Sequence, residues 1–182
     1  MEIIKTPIEE LLIIQPDVFR DDRGYFFESF NETKYSELGD VKFVQDNISR
    51  SVKGTIRGLH YQAGKNPQGK LCSVLLGKVL DVAVDVRHGS PTFGQHVSVE
   101  LSDENKKQFW IPPGFAHGFS ALSEDVIFSY KCSGFYSKAD ERCIIYNDPD
   151  LNIDWHTSAP LLSPKDLEGI AFSEIGKDFI YK

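Results

Sequence analysis

Two histidines of this chain lie in segments that could carry acid–base chemistry. His60 follows Arg57 and Gly58 in a strand-like segment, and His117 follows a rigid, proline-rich turn that ends at Gly114. Histidine changes its charge near neutral pH, so either side chain could accept or donate a proton during a reaction. Considered singly, each histidine fits a hydrogen-bonded structural role at least as well.

General acid–base catalysis also needs a carboxylate that orients the base and a separate proton donor. The candidate carboxylates are Asp81, Asp85 and Asp166, each of which could also be a solvated residue. Tyr130 and Tyr136 flank a short segment and could donate a proton, although their positions alone favour ordinary packing. The necessary residue types are therefore present, and their arrangement is left open.

Lys70 and three arginines could bind negative charge. Lys70 comes just before an apolar strand, where it could stabilise an enolate oxygen or be a solvated lysine. Arg23, Arg57 and Arg87 carry planar guanidinium groups, which suit bidentate binding of phosphate. No Walker A loop and no Rossmann glycine fingerprint follows a strand, so a nucleotide site of the βαβ type is disfavoured.

The pattern around His60 argues against a bound metal. Metal-binding cupin barrels usually carry a His-x-His pair followed by a glutamate and, later, another histidine after a Pro-x-Gly turn. Here Gln62 stands in place of the second histidine of the pair, and no glutamate follows within the next few residues. His60 and His117 alone make a poor ligand set for zinc or iron, which need three or four ligands. We therefore expect acid–base chemistry without a metal or other cofactor.

The elements that must position these residues are short strands separated by turns. The clearest is a hairpin of residues 71–76 and 79–86 around the turn Gly77-Lys78, in which Leu80 and Val82 lie on one face and Asp81 on the other. Further strands are predicted at residues 25–30, 97–101, 108–111, 118–121, 126–130 and 143–146.

Helical signals are few. Residues 32–38 are compatible with a short helix, and Ser163-Pro164-Lys165-Asp166 is typical of a helix start with proline at the first position. No repeat, low-complexity block or linker divides the chain, so residues 1–182 are expected to form one domain. The pattern predicts an all-β protein, a jelly-roll barrel with short helices towards the C-terminus.

Composition excludes several classes of partner. The 182 residues carry a formal net charge of −7, which argues against a broad basic surface for nucleic acid or anionic membrane. No stretch reaches the roughly 18 apolar residues of a membrane span, and charged residues interrupt the N-terminal segment. Three cysteines form no Cys-x-x-Cys pair, which favours reduced thiols. We therefore expect a cytoplasmic protein.

One geometric problem concerns Arg57 and His60. In an uninterrupted strand these two residues point to opposite faces, so both can reach one ligand only if the strand bulges or the ligand lies across subunits or strand ends. Gly58 lies between them and would permit a bulge.

Several segments, taken together, resemble the dTDP-4-dehydrorhamnose 3,5-epimerase family. They follow the order of the family's motifs and cover most of residues 20–170: 22–28, 43–47, Arg57-Gly58-Leu59-His60-Tyr61-Gln62, 68–71, 81–87, 90–94, Gly114-Phe115-Ala116-His117-Gly118-Phe119, Tyr130-Lys131-Cys132 and 162–166. Each motif alone is modest, but their combination is specific.

The resemblance implies a cupin-type jelly roll without a metal, usually a homodimer in which an N-terminal strand reaches the partner subunit. The implied reaction converts dTDP-4-dehydro-6-deoxy-D-glucose to dTDP-4-dehydro-L-rhamnose. By the matching motifs, His60 would be the base, Asp166 would orient it, and Tyr130 would return a proton on the opposite face. Lys70 and His117 would lie near the sugar and the enolate oxygen, with Asp81 supporting one histidine. The residues implied to bind the nucleotide and its phosphates are Arg23, Glu28, Gln45, Asn47, Arg57, Glu141 and Lys165.

Three alternatives stay open at this point. Related enzymes with nearly the same residues epimerise only C3 or only C5 in other dTDP-sugar pathways. A metal-dependent cupin oxygenase or isomerase is a second alternative, against which the missing His-x-His motif counts. A sugar-nucleotide binding module without activity is the third, against which the joint presence of His60, Tyr130 and Asp166 counts.

Overall fold

The computed structural model covers Met1–Lys182 and consists mainly of antiparallel strands. Thirteen strands are present: β1 (Glu2–Lys5), β2 (Leu12–Gln15), β3 (Phe19–Asp21), β4 (Gly24–Phe26), β5 (Gln45–Val52), β6 (Ile56–Gln62), β7 (Lys70–Leu76), β8 (Lys78–Asp85), β9 (His96–Ser102), β10 (Gln108–Ile111), β11 (Phe115–Ala121), β12 (Asp125–Cys132) and β13 (Glu141–Cys143). Helical structure is limited to α1 (Pro164–Leu167) and to 3-10 helices at Lys34–Leu38 and Phe172–Glu174. None of these helices is long and apolar enough to cross a membrane.

Two sheets form the body of the protein. One has the strand order β1-β2-β10-β7-β12-β5, and the other has the order β13-β6-β11-β8-β9. Strands that are neighbours in a sheet are often far apart in the chain. From β5 onward consecutive strands alternate between the two sheets except at β8 and β9, as in a jelly roll. Strands β3 and β4 form a separate two-stranded hairpin. The prediction of an all-β jelly roll is therefore confirmed.

Apolar side chains fill the space between the two sheets and cover parts of their outer faces. Phe109 and Phe128 of the six-stranded sheet pack in one buried cluster with Phe119 of the other sheet. A second cluster lies on the outer face of the five-stranded sheet, where residues near the C-terminus such as Trp155 and Phe172 cover it. The inner cluster stops short of β6, and the polar residues discussed below occupy that end of the barrel.

The hairpin of β7 and β8 forms as the sequence pattern predicts. Gly77 occupies the turn at φ +80°, and a Cβ there would lie 2.2 Å from the Asp125 carbonyl oxygen. Leu80 and Val82 of β8 face the outer cluster, whereas Val79 faces the core between the sheets. Because side chains alternate along the strand, Asp81 points the same way as Val79, towards the interior.

Other boundaries differ from the predictions. The strand predicted at 25–30 ends at Phe26, because β4 pairs only with the short β3. The strand predicted at 143–146 is β13 instead, which pairs with β6 up to Cys143, after which Ile144 bridges Ile170. The helix predicted at 32–38 is the 3-10 helix Lys34–Leu38. Strand β5 was not predicted, because its polar residues conceal an alternating strand pattern.

The helix start at Ser163 forms as predicted. Pro164 occupies the first turn of α1, and the Ser163 hydroxyl accepts a hydrogen bond from the backbone N–H of Asp166. This cap turns Asp166 towards β6, where its side chain is buried.

A bulge in β6 resolves the geometric problem of Arg57 and His60. Against β11, His60 pairs with His117 and Arg57 pairs with Phe119, so β6 has one more residue than its partner over this stretch. Gly58 lies in the bulge at φ +130°, and a Cβ there would lie 2.4 Å from the Gly118 Cα. The bulge therefore requires glycine, and it brings Arg57 and His60 to one pocket.

Candidate active site

A polar pocket opens at the end of the barrel between the two sheets. Its lining comes from five strands, from β13 and from the segment that carries α1, namely Ser49, Arg57, His60, Lys70, His117, Phe119, Phe128, Tyr130, Glu141, Ser163, Lys165 and Asp166. Phe119 and Phe128 stack with ring centroids 4.3 Å apart and form an apolar wall. Titratable side chains from distant parts of the sequence thus share one partly enclosed space.

His60 and Asp166 form a close pair in this pocket. His60 Nε2 lies 2.7 Å from Asp166 Oδ1, and the Asp166 side chain is only 4% exposed. The carboxylate also accepts hydrogen bonds from the Ser163 hydroxyl at 2.5 Å and from the Gly58 N–H at 3.3 Å. Burial raises the pKa of Asp166, but the contacts with His60, Ser163 and Gly58 outweigh it and hold that pKa at about 2. Asp166 is therefore ionised across the physiological pH range.

His117 forms a second pair, with Asp81. His117 Nε2 lies 2.6 Å from Asp81 Oδ1, and Lys70 Nζ lies 3.5 Å from His117 Nδ1. These neighbours assign the tautomer with the proton on Nε2, which donates to the carboxylate and leaves Nδ1 to accept from the ammonium. Burial lowers the pKa of His117, and it lowers the pKa of Lys70 as well. The neutral imidazole of His117 therefore lies next to the Lys70 ammonium and accepts a hydrogen bond from it.

Tyr130 faces the same space from β12. Burial raises the pKa of its phenol to about 12, so Tyr130 keeps its proton at neutral pH and can donate it. Lys70 Nζ lies 5.9 Å from the centroid of the Tyr130 ring. Tyr136 has a different setting, because it is exposed and its hydroxyl donates to Glu141 Oε2 at 3.0 Å.

Three further predicted residues lie at the mouth of the pocket. The Arg57 guanidinium donates to the Ser51 hydroxyl and to the Arg50 carbonyl, both at 3.1 Å. Glu141 and Lys165 form an ion pair with each other. Arg57 and Lys165 thus supply positive charge where a phosphate could bind.

Four predicted binding residues lie outside the pocket lining of the single chain. Gln45 and Asn47 lie on β5, where they hydrogen-bond to each other and Asn47 pairs with Tyr130 across the strands. Arg23 lies at the turn of the β3–β4 hairpin and contacts Asp21, with its side chain 90% exposed. Glu28 follows this hairpin and pairs with Lys34.

Asp85 and Arg87 do not belong to the site. Asp85 binds the Arg87 guanidinium at 2.7 Å and also accepts from Ser90 and Thr92. The Glu10 carboxylate forms a second ion pair with the Arg87 guanidinium, with Oε1 2.6 Å from a guanidinium nitrogen. Arg87 is therefore occupied by an internal ion-pair network and is not available to a phosphate.

The sequence reasoning missed four lining residues, namely Ser49, Phe119, Phe128 and Ser163. Ser49 is the most informative, because its buried hydroxyl oxygen has no hydrogen-bond partner. The signal that could have found it is alternation along β5, which places Ser49 on the same face as Gln45 and Asn47.

Two groups of side chains could offer three ligand atoms each to a metal ion. They are His60, Cys143 and Asp166, and Cys72, Asp81 and His117. In each group the histidine already lies within hydrogen-bond distance of the carboxylate. Each histidine can therefore act with its carboxylate as an acid–base pair without an ion.

An all-β barrel that holds two histidine–carboxylate pairs, a protonated phenol and a desolvated lysine in one pocket is typical of an enzyme that moves protons on a bound substrate. The particular family follows from comparison. The family model described as dTDP-4-dehydrorhamnose 3,5-epimerase matches residues 5–174, and the chain belongs to this family. The resemblance stated from the sequence motifs is confirmed.

Individual relatives agree with this assignment. The dTDP-4-dehydrorhamnose 3,5-epimerase of Shigella flexneri is 53% identical over 174 residues, which cover 94% of this chain and 96% of the relative. The crystal structure of a 3,5-epimerase from Legionella pneumophila, in complex with dTDP-4-keto-L-rhamnose, superposes with a TM-score of 0.96 at 53% identity and covers 100% of this chain and 98% of its own. The fold is the cupin-type jelly roll of these enzymes.

A relative with a different name is more distant. The dTDP-4-dehydrorhamnose 3-epimerase of Streptomyces niveus is 36% identical over 176 residues, which cover 96% of this chain and 85% of the relative.

Proposed function

We propose that this protein epimerises dTDP-4-dehydro-6-deoxy-D-glucose at C3 and C5 to give dTDP-4-dehydro-L-rhamnose, within dTDP-L-rhamnose biosynthesis. The observation that carries the proposal is the joint presence in one pocket of the His60–Asp166 pair, the buried phenol of Tyr130 and the Lys70 ammonium. Family membership and the ligand bound to the Legionella pneumophila relative support the substrate class.

His60 is the base in this proposal. A proton on C5 or C3 is acidic because the carbanion left behind is delocalised onto the C4 ketone oxygen as an enolate. With Nε2 held by Asp166 at 2.7 Å, the remaining ring nitrogen of His60 is the acceptor of that proton. The imidazolium formed is stabilised by the ionised carboxylate behind it, because their attraction is strong in a partly desolvated pocket.

Lys70 stabilises the enolate oxygen and Tyr130 completes the inversion. Burial strengthens the attraction between the ammonium of Lys70 and the oxyanion, and neutral His117 orients the lysine through Nδ1. Tyr130 then donates its phenolic proton to the opposite face of the carbon, and the ketone forms again. The Tyr130 phenolate then takes a proton from solvent, and the His60 imidazolium releases its proton to solvent. Both residues thus return to their starting states, and no redox step or cofactor is needed.

Residues at the mouth of the pocket bind the nucleotide. Arg57 and Lys165 supply charge for the diphosphate, and Glu141 positions Lys165. Gln45 and Asn47 continue the polar face of β5 beyond the pocket, and the unpaired Ser49 hydroxyl is a further donor for the substrate. Binding energy from the nucleotide holds C3 and C5 against the base for both proton transfers.

The protein acts as a cytoplasmic homodimer in this proposal. Arg23 and Glu28 lie away from the pocket of their own chain, on or next to a hairpin with exposed aromatic side chains, and a partner's pocket is a suitable place for them. The outer face of the six-stranded sheet also exposes Ile48, Val52 and Leu75, an apolar surface that a second copy would cover. Residues 1–182 form one domain in this proposal.

A mono-epimerase is the second candidate function. It is favoured only by the more distant relatives, such as the 36% identical 3-epimerase, whereas the relatives at about 50% identity are named 3,5-epimerases. Loss of one proton signal instead of two in the experiment below would favour it.

The test is proton NMR of dTDP-4-dehydro-6-deoxy-D-glucose incubated with the protein in D2O after treatment with a chelator. We expect the C3 and C5 proton signals both to disappear, and the His60→Ala variant to lose both exchanges. Full exchange in His60→Ala would refute the assigned base. No exchange until a metal is added, with that metal bound stoichiometrically, would mean a metal-dependent cupin. Thermal stabilisation by dTDP without any exchange would mean a binding module.

A further inference from the structure

The segment Gly134–Ser137, which follows β12, is held by glutamine side chains at every residue. Gln68 donates to the Gly134 carbonyl at 2.7 Å, and Gln62 donates to the Phe135 carbonyl at 2.9 Å. Gln45 accepts from the Tyr136 N–H at 3.0 Å, and Gln62 accepts from the Ser137 N–H at 2.7 Å. Irregular backbone would otherwise take these bonds from water, so the three glutamines act as a clamp on this segment.

Gln62 is the centre of the clamp. It is the last residue of β6, two residues after His60, and it is 5% exposed. Its amide nitrogen donates to the carbonyls of both Phe135 and Asn66, while its oxygen accepts from Ser137. Both N–H groups and the carbonyl are therefore used, and all of its partners are backbone groups of two neighbouring loops.

The two loops also pack tightly against each other. The Gly69 N–H donates to the Ser133 hydroxyl at 2.7 Å. A Cβ at Gly134 would lie 3.1 Å from the Pro67 carbonyl oxygen, so this position favours glycine. The loop after β6 thus packs closely against the clamped segment.

The clamped segment carries Tyr136, whose side chain contacts Glu141 of the pocket lining. Gln62 binds the residue on either side of Tyr136, and Gln45 binds its own N–H. The Tyr136 hydroxyl donates to Glu141, which lines the pocket and pairs with Lys165. A displaced backbone at Tyr136 would therefore release one contact of Glu141, which lines the pocket.

We propose that Gln62, with Gln68, is a positioning residue that preforms the nucleotide-sugar site by fixing Tyr136 and, through it, Glu141. Gln62 occupies the position at which the His-x-His motif of metal-binding cupins has its second histidine, and here the side chain binds loop backbone instead. The effect of the clamp on substrate rests on the proposed function, whereas the clamp itself does not. Because the segment is already ordered, substrate binding does not carry the free-energy cost of ordering it.

The clamp is tested without substrate by hydrogen–deuterium exchange. Gln62→Met has a similar shape but cannot form the three hydrogen bonds. We expect the amides of Tyr136 and Ser137 to exchange at least about tenfold faster in Gln62→Met than in the unchanged protein, because the protecting contacts are lost. Equal exchange rates in the two proteins would overturn the clamp.

The role of Gln62 in substrate binding is tested by measuring KM, kcat and the Kd for dTDP. We expect Gln62→Met to raise KM and Kd about tenfold with kcat changed less than about threefold. In a Tyr136→Ala background the same substitution should change them less than about twofold, because the positioned side chain is already gone. An equal rise in both backgrounds, or no rise, would overturn the positioning role.

A matched control separates positioning from general loss of stability. Ser120 is fully buried and donates to the Trp155 carbonyl at 2.8 Å, on the face of β11 away from the pocket. Ser120→Ala should lower the melting temperature while leaving KM and the dTDP Kd unchanged. If the unchanged protein binds dTDP without epimerising the sugar, the proposed function fails, and the dTDP Kd values still decide the role of Gln62.

Discussion

Replacing Asp166 by asparagine tests the proposed base directly. The substitution keeps the size of the side chain and one oxygen, but it removes the negative charge 2.7 Å from His60 Nε2. In the proposed mechanism His60 becomes an imidazolium while the substrate becomes an enolate. The charge on Asp166 is therefore needed more in the transition state than in the resting enzyme.

The shifted pKa of Asp166 sets the magnitude. Its value of about 2, against 3.8 for an unperturbed aspartate, corresponds to about 2 kcal/mol of preference for the ionised form. His60, Ser163 and Gly58 share this preference, and the contact with His60 is the largest of their contributions. We assign about 1 kcal/mol of it to the interaction of Asp166 with His60 in the resting enzyme. This interaction becomes stronger when His60 is charged in the transition state, so we expect Asp166→Asn to lower kcat about 10- to 100-fold.

The assay is the rate of deuterium incorporation at C3 and C5, with Asp148→Asn as the control. Asp148 is also a buried aspartate, but its carboxylate binds the backbone N–H groups of Asp150, Leu151 and Phe172 away from the pocket. Asp148→Asn should lose stability and keep its exchange rate. An Asp166→Asn protein with a kcat within about twofold of the unchanged enzyme would refute the role of the carboxylate.

The same variant has a predicted pH signature in stability. Because the pKa of Asp166 is lowered by folding, its contribution is fully present above the unfolded pKa of about 3.9 and is lost as the pH falls towards 2. Between pH 5 and pH 3 the unchanged protein should lose about 1 kcal/mol more of its unfolding free energy than Asp166→Asn. Urea unfolding at the two pH values measures this difference, and parallel losses would contradict the origin of the shift.

Three further predictions concern other parts of the site. Tyr130→Phe removes the phenolic donor, so we expect epimerised product to form about 100-fold more slowly, while NMR still detects exchange from the His60 side; product at the normal rate would exclude Tyr130 as the donor. Ser49→Ala removes a hydroxyl that has no partner in the protein, so the melting temperature should hold while KM rises about threefold or more; an unchanged KM would mean that Ser49 does not contact substrate. Ile48→Asp places a charge on the exposed apolar face that the proposed homodimer would bury, so light scattering should detect a dimer for the unchanged protein and a monomer for the variant; an unchanged mass would place any interface elsewhere.

Local sequence pattern was sufficient for several parts of the fold. Alternation of side chains in β8 predicted that Leu80 and Val82 share a face opposite Asp81, and the turn at Gly77 predicted the hairpin. Ser163 and Pro164 predicted the start of α1. These features depend on residues close in the chain, for which strand period, turn conformation and helix capping are local properties.

Combined motifs were sufficient for the family, since their order along the chain is specific even where each is modest. The same motifs indicated the residues that line the pocket, including His60, Lys70 and Tyr130. They did not indicate Ser49, because a polar strand such as β5 has no apolar alternation to reveal which face it buries.

The tertiary structure alone decided which histidine pairs with Asp81 and that Asp85 lies outside the site. By residue type Asp81, Asp85 and Asp166 were equivalent candidates, and the family resemblance implied only that Asp166 orients His60. In the structure Asp166 reaches His60, Asp81 reaches His117, and Asp85 is held by Arg87. Residues 60 and 166 are brought together by the path of the chain from β6 to α1, which no local pattern encodes. The side-chain period determines the face on which a residue lies, whereas its neighbours on that face depend on strand order, register and the bulge at Gly58.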